Sequence, residues 1–98
     1  MMARVDAQAR MRWRTPEEDG RKHLPSGPQY AATMHFDDEP DYWSVVVSLP
    51  NGAQYGLQTV NLGWLFRENV GEQLQVGRRI FITEGPRVVA EGEIIAVL

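Results

Sequence analysis

Residues Gly77 to Leu98 constrain the fold of this chain more than any other stretch. Two apolar runs flank a tight turn. Ile80, Phe81 and Ile82 lead into Glu84-Gly85-Pro86, and Val88 and Val89 lead through Gly92 to Ile94, Ile95 and Val97. β-branched residues on both sides of glycine-proline turn chemistry predict a two-stranded hairpin. An isolated hairpin is marginal in water, so this one requires further strands to cover it.

Upstream residues supply those strands. From Arg4 to Arg14, Val5, Ala7, Ala9, Met11 and Trp13 fall on one face and Arg4, Asp6, Gln8, Arg10, Arg12 and Arg14 on the other. A period of two predicts a half-buried strand, although alanine favours helix. Thr15 to Pro28 carries turn residues. Gln29 to Phe36 alternates again, with Tyr30, Ala32, Met34 and Phe36 on one side. Tyr42 to Leu49 predicts a third strand, with Trp43, Val45, Val47 and Leu49 sharing a face. Pro50-Asn51-Gly52 is a turn signal. Ala53 to Leu62 predicts a fourth strand, interrupted by Gly56. Residues 64–76 fit either a helical turn at Leu65 to Val70 or a short strand and loop. The total is about six strands with almost no helix, a pattern met by a sandwich or a closed barrel.

The chain has 98 residues, which make one domain spanning residues 1–98 and allow a core without staples. It has no cysteine, which excludes disulfides and thiolate chemistry. No apolar run approaches the ~20 residues that span a bilayer, and no secretory leader pattern is present. The expectation is a soluble cytoplasmic domain with no membrane partner. The net charge of −3 argues against a general nucleic-acid binder. Up to Lys22, however, six basic residues outnumber four acidic ones.

In Gly77 to Leu98, the residues Gly77, Arg79, Ile82, Glu84, Gly85, Arg87, Val89, Gly92, Val97 and Leu98 align without a gap. They match the last strands of the C-terminal β-barrel domain of bacterial elongation factor Tu, which this stretch resembles. A second stretch, Gly20-Arg21-Lys22-His23-Leu24-Pro25-Ser26-Gly27-Pro28-Gln29, is similar to a loop of the same domain, with glycine-arginine, histidine, Ser-Gly and Pro-Gln recurring in order. Together the two stretches span nearly the whole chain; residues 37–76 match in strand pattern only. The resemblance implies an all-β fold, a closed six-stranded antiparallel Greek-key barrel, standing without that family's nucleotide domain. No G-x-x-x-x-G-K-[ST] phosphate loop is present, so no GTPase activity is expected.

The resemblance also implies an RNA-contacting surface at Arg21, His23, Glu84 and Gly85, positions at which the family holds the backbone of aminoacyl-tRNA. Such a surface needs amides and cations aimed at phosphate and ribose. The chain departs from it in three places: Thr83 stands where the family has arginine, Pro86 replaces a glycine, and a tyrosine-arginine pair is missing between Gly27 and Pro28. Glu84-Gly85 otherwise reads as a plain turn, with Arg87 an exposed cross-strand partner.

Other candidates come from the residues alone. Arg10, Arg12 and Arg14 would stand about 7 Å apart along one strand face, near a phosphate spacing. The competing reading is a solvated face paired with carboxylates such as Glu17 or Glu18. Asp37, Asp38, Glu39 and Asp41 lack the glycine and terminal glutamate of a calcium loop and read as a solvated turn. His23 and His35 have no zinc-ligand spacing. Trp13 and Trp43 are expected in the core, and Trp64, after Gly63, is expected at the rim as a partner anchor. No nucleophile–base set, paired carboxylates or cofactor fingerprint occurs, so the chain is not expected to be an enzyme or to carry a cofactor or metal. Two functions remain: a module docking a protein partner, or an RNA-binding barrel. No small-molecule substrate is indicated.

Overall fold

The computed structural model describes residues 5–37, 39 and 41–98, with the side chains of residues 67 and 69 excepted. Arg4 of the predicted first strand, and Asp38 and Pro40 of the acidic run, lie outside the described residues.

The strands are β1 (Ala7–Trp13), β2 (Gln29–Phe36), β3 (Trp43–Ser48), β4 (Leu57–Trp64), β5 (Arg79–Glu84) and β6 (Arg87–Val97), with a single turn of helix, α1 (Arg67–Val70), after β4. Every pairing is antiparallel, and the strands close into a barrel in the order β1-β4-β3-β2-β5-β6. Closure is made by β1, which pairs with β4 on one side and β6 on the other. Closure gives each of the six strands two neighbours and removes the free sheet edge that invites aggregation.

Alternation sorts the side chains as expected. Ala7, Ala9, Met11 and Trp13 of β1 are fully buried, as are Met34, Phe36, Val45 and Val47. Ile80, Ile82 and Ile94 complete the packing from the C-terminal hairpin. Burying each large side chain stabilises the fold by about 1.5–3 kcal/mol. Asp6 departs from the pattern. It falls on the outward parity of β1 yet is 5% exposed, because its carboxylate turns in to accept the Trp64 backbone N–H at 2.9 Å.

β6 is long enough to serve two neighbours because it bends. Its register with β5 shifts between Ile82 and Thr83, and its register with β1 shifts between Gln8 and Ala9. Each extra residue kinks the strand and increases its twist. Between these bulges lies Gly92, opposite both Met11 and Ile80. A Cβ there would stand 2.4 Å from the Arg10 carbonyl oxygen, so β1 and β6 approach too closely for any other residue.

The fourth strand differs from the sequence expectation. It begins at Leu57, not Ala53, and continues through Gly63 and Trp64. The Asn51-Gly52 turn forms, with the Gly52 N–H donating to the Leu49 carbonyl, but residues 53–56 then arch away from the sheet. The Gln58 side chain holds that arch by donating to the Gly52 carbonyl and accepting from the Gln54 N–H. Residues 65–78 contain α1 and a 3-10 turn, Gly71–Gln73, and bury Val70 and Leu74 against the core.

Antiparallel order gives the barrel two distinct ends. One carries the connections 14–28, 49–56 and 84–87. The other carries 37–42 and 65–78.

Gly92→Ala is expected to destabilise the fold by about 1–3 kcal/mol, lowering the melting temperature by roughly 4–8 °C per kcal/mol; calorimetry checks it.

Candidate functional site

The residues with most chemistry meet at the first of these ends. The β5–β6 connection is a two-residue turn, since Glu84 pairs with Arg87. Gly85 takes φ +60°, which glycine adopts without penalty, and Pro86 supplies the fixed negative φ that follows it in a type II′ turn. This turn sets Glu84 at the barrel rim. There the Arg21 guanidinium and the Tyr30 hydroxyl both donate to Glu84 Oε2. Arg21 also donates from Nε to the His23 carbonyl at 3.0 Å and lies 5.3 Å from the centre of the Tyr30 ring. Tyr30 packs edge-on against Trp13, whose Nε1–H donates to Gln58 Oε1 at 2.7 Å. The rim cluster is thus anchored to the core through two aromatic rings.

The electrostatics follow from this geometry. Burial raises the Glu84 pKa, but hydrogen bonds from Tyr30 and Arg21 and the charges of Arg21 and Arg87 outweigh it, and the carboxyl titrates below its ordinary value. Burial, then the neighbouring Glu84 carboxylate, push the Tyr30 hydroxyl well above its ordinary range. The group is therefore an ion pair with a neutral donor, fixed over all physiological pH. An open hollow beside it is lined by Arg21, Lys22, His23, Glu84 and Arg87. The two stretches that carry the sequence resemblance, one from residue 20 and one from residue 77, meet here.

His23 enters this cluster through its backbone carbonyl, and its ring is exposed. Thr83 is buried beside Thr33 of β2, its hydroxyl 2.5 Å from that of Thr33.

The β1 arginines form a second arrangement. Arg12 makes two bonds to Glu18, at 2.7 and 3.0 Å, and a longer one to Glu91 at 3.4 Å. Arg14 Nε donates to Glu91 at 3.0 Å. Arg10 is exposed and has no ion-pair partner among the described residues. A hollow between β1, β5 and β6 brings Arg10, Arg12 and Arg79 together with Glu91, Gly92 and Glu93. The row is therefore a mixed ionic face. Glu18 was readable as a partner because it lies six residues from Arg12. Glu91 was not, because it depends on the β1–β6 register.

Glu18 closes the start of the 3-10 turn Pro16–Glu18, its carboxylate accepting the Thr15 N–H at 2.9 Å. The Arg12 and Thr15 hydrogen bonds depress its pKa to about 2.

Trp64 is not a rim anchor. It is 3% exposed, because β4 continues through it and pairs it with Val45. The next two residues are exposed in its place, Leu65 by 64% and Phe66 by 57%. The signal was present in the sequence: Val60, Leu62 and Trp64 share one parity. Of the other tryptophans, Trp13 is fully buried and Trp43 half-buried. His35 stacks on Phe81 at 5.2 Å and meets Tyr42 edge-on at 5.2 Å. Asp37, Glu39 and Asp41 lie in the connection between β2 and β3. Among the described residues, no group of three or more His, Cys, Asp or Glu could hold a metal ion.

Comparison with protein-family models and with curated proteins finds no match for this chain.

Two outcomes are expected here. Tyr30→Phe removes a donor from Glu84 and should raise the Glu84 pKa, read by an NMR titration of its side-chain carboxyl carbon. Glu18 titrates lower in the folded than in the unfolded chain, so its contribution is present above about pH 4.5 and fades as the pH falls toward 2. Glu18→Gln should therefore lower the urea midpoint at neutral pH, with the gap closing across that acid range.

Proposed function

We propose that this chain is a non-catalytic, cytoplasmic β-barrel binding module that docks a protein partner through the end bearing Arg21, Glu84 and Arg87. One observation carries the reading: the cations that a polyanion would need are already neutralised inside the molecule. Arg21 is held by Glu84, Arg12 by Glu18 and Glu91, and Arg14 by Glu91. Phosphate affinity rests on cations released to the ligand, and these would first have to leave their carboxylates. A rim of fixed, charge-balanced donors and acceptors suits the polar edge of a protein interface, where such groups set register and partner choice. No helix among the described residues is long and apolar enough to cross a membrane.

We further read the barrel as kin to the C-terminal domain of elongation factor Tu. Support comes from the strand order, in which β2, β3 and β4 are sequential neighbours and β1 returns beside β4, the Greek-key arrangement. It also comes from the meeting of the two resembling stretches at one rim. The alternative function is RNA binding by a reduced form of that family's surface. It is favoured by Lys22, Arg87 and Arg10, which carry no ion pair among the described residues.

A tRNA gel shift at low salt separates the two, run beside affinity capture with the native chain and a Lys22→Glu/Arg87→Glu variant. The docking reading expects no shift, and a captured protein that the variant loses. A shift whose affinity falls by about one log unit per phosphate contact for each tenfold rise in salt would instead establish the RNA reading.

A further inference from the structure

The opposite end of the barrel has a different character. Among the described residues, its connections, 37–42 and 65–78, hold five carboxylates against two arginines, a formal charge of −3. The connections at the Arg21–Glu84 end, 14–28, 49–56 and 84–87, hold four of each sign and sum to zero. Of the two arginines in the acidic set, Arg78 is engaged, donating to the Gln73 carbonyl at 3.0 Å with its guanidinium 4.3 Å from the Phe36 ring centre. The chain's charge is thus polarised along the barrel.

Exposed apolar side chains gather at the same end. Leu65 and Phe66 follow directly on β4, and the Leu65 N–H donates to the Ser44 carbonyl at 3.2 Å, which sets this corner beside the start of β3. Tyr42 stands just before that strand, 57% exposed and braced by the edge-on contact with His35. Three large apolar side chains on one rim are what an interface core uses as anchors.

We propose that this end is a docking surface for a protein segment that presents an apolar anchor flanked by lysine or arginine. The charge selects this occupant over the others. A second copy of the chain would set Asp37, Asp41, Glu68 and Glu72 against themselves, and an RNA backbone or an anionic lipid surface would meet the same repulsion. A basic partner gains both the burial of Leu65, Phe66 and Tyr42 and electrostatic steering toward them. The surface lies at the far end from the Arg21–Glu84 cluster, so the inference holds whether or not that cluster docks a partner.

The test uses two amphipathic helical probe peptides, one patterned in leucine and lysine and one in leucine and glutamate, titrated into the isotopically labelled full chain. The lysine peptide should shift the amide resonances of residues 41–44 and 65–72. The glutamate peptide should not. Leu65→Ser/Phe66→Ser should weaken binding about tenfold or more. Asp41→Lys/Glu72→Lys, at exposed positions, should weaken it too and flatten its salt dependence. Thermal melts establish that both variants fold. Four results would overturn the proposal: no binding by the lysine peptide, equal binding by both peptides, shifts confined to Arg21, Glu84 and their neighbours, or a concentration-dependent dimer abolished by Leu65→Ser/Phe66→Ser. Shifts confined to Arg21 and Glu84 would leave the docking role of that other end standing.

Discussion

The pairing of β1 with both β4 and β6 is the contact on which the rest of this molecule depends. Hairpins join β2 to β3, β3 to β4 and β5 to β6, and the crossover of residues 65–78 brings β5 beside β2, but the cylinder shuts only where the N-terminal strand enters between β4 and β6. Closure lets Met11 and Trp13 face a core already lined by the C-terminal hairpin. It also requires the bulges of β6 and the missing side chain at Gly92, because a strand serving two neighbours around a tight bend cannot remain straight.

Closure also decides what the charged residues can do. It lays β6 beside β1, so Glu91 meets Arg12 and Arg14, and a row of arginines becomes an internally balanced face. At the rim it sets Tyr30 and Glu84 within reach of Arg21, from three separate parts of the chain. The same geometry gathers the unbalanced charge at the other end, with five carboxylates among the described residues of two connections. A chain of modest net charge thereby acquires one neutral, rigid polar rim and one acidic rim with apolar anchors. The first is suited to specificity and the second to the capture of a basic partner.

Much of the fold was legible in the sequence because its strands are written in short-range pattern. Gln29 to Phe36 alternates over its full length and is β2 to the residue, and Glu84-Gly85-Pro86 forms the turn its chemistry requires. The errors share one cause. The strand expected over Ala53 to Leu62 begins only after Gly56, at Leu57, and pairing with Val45 and Val46 pulls it through Gly63 to Trp64. Tertiary pairing overrode local punctuation, and the exposed role expected of Trp64 passed to Leu65 and Phe66. Asp6 misled for the same reason: its burial depends on a backbone N–H fifty-eight residues away. At the rim, Arg21 and Glu84 were found through a resemblance, but Tyr30 was read only as one side of an alternating strand. Its partnership with Glu84 is a fact of β2–β5 adjacency, which no local spacing encodes.

Native-state hydrogen exchange along β1 tests the central claim most directly. In an antiparallel strand flanked on both sides, successive amides point alternately to the two neighbours. A closed barrel predicts that the amides facing β4 and those facing β6 are alike protected, exchanging only through global unfolding. Rapid exchange of one alternate set, the behaviour of an open edge, would contradict it.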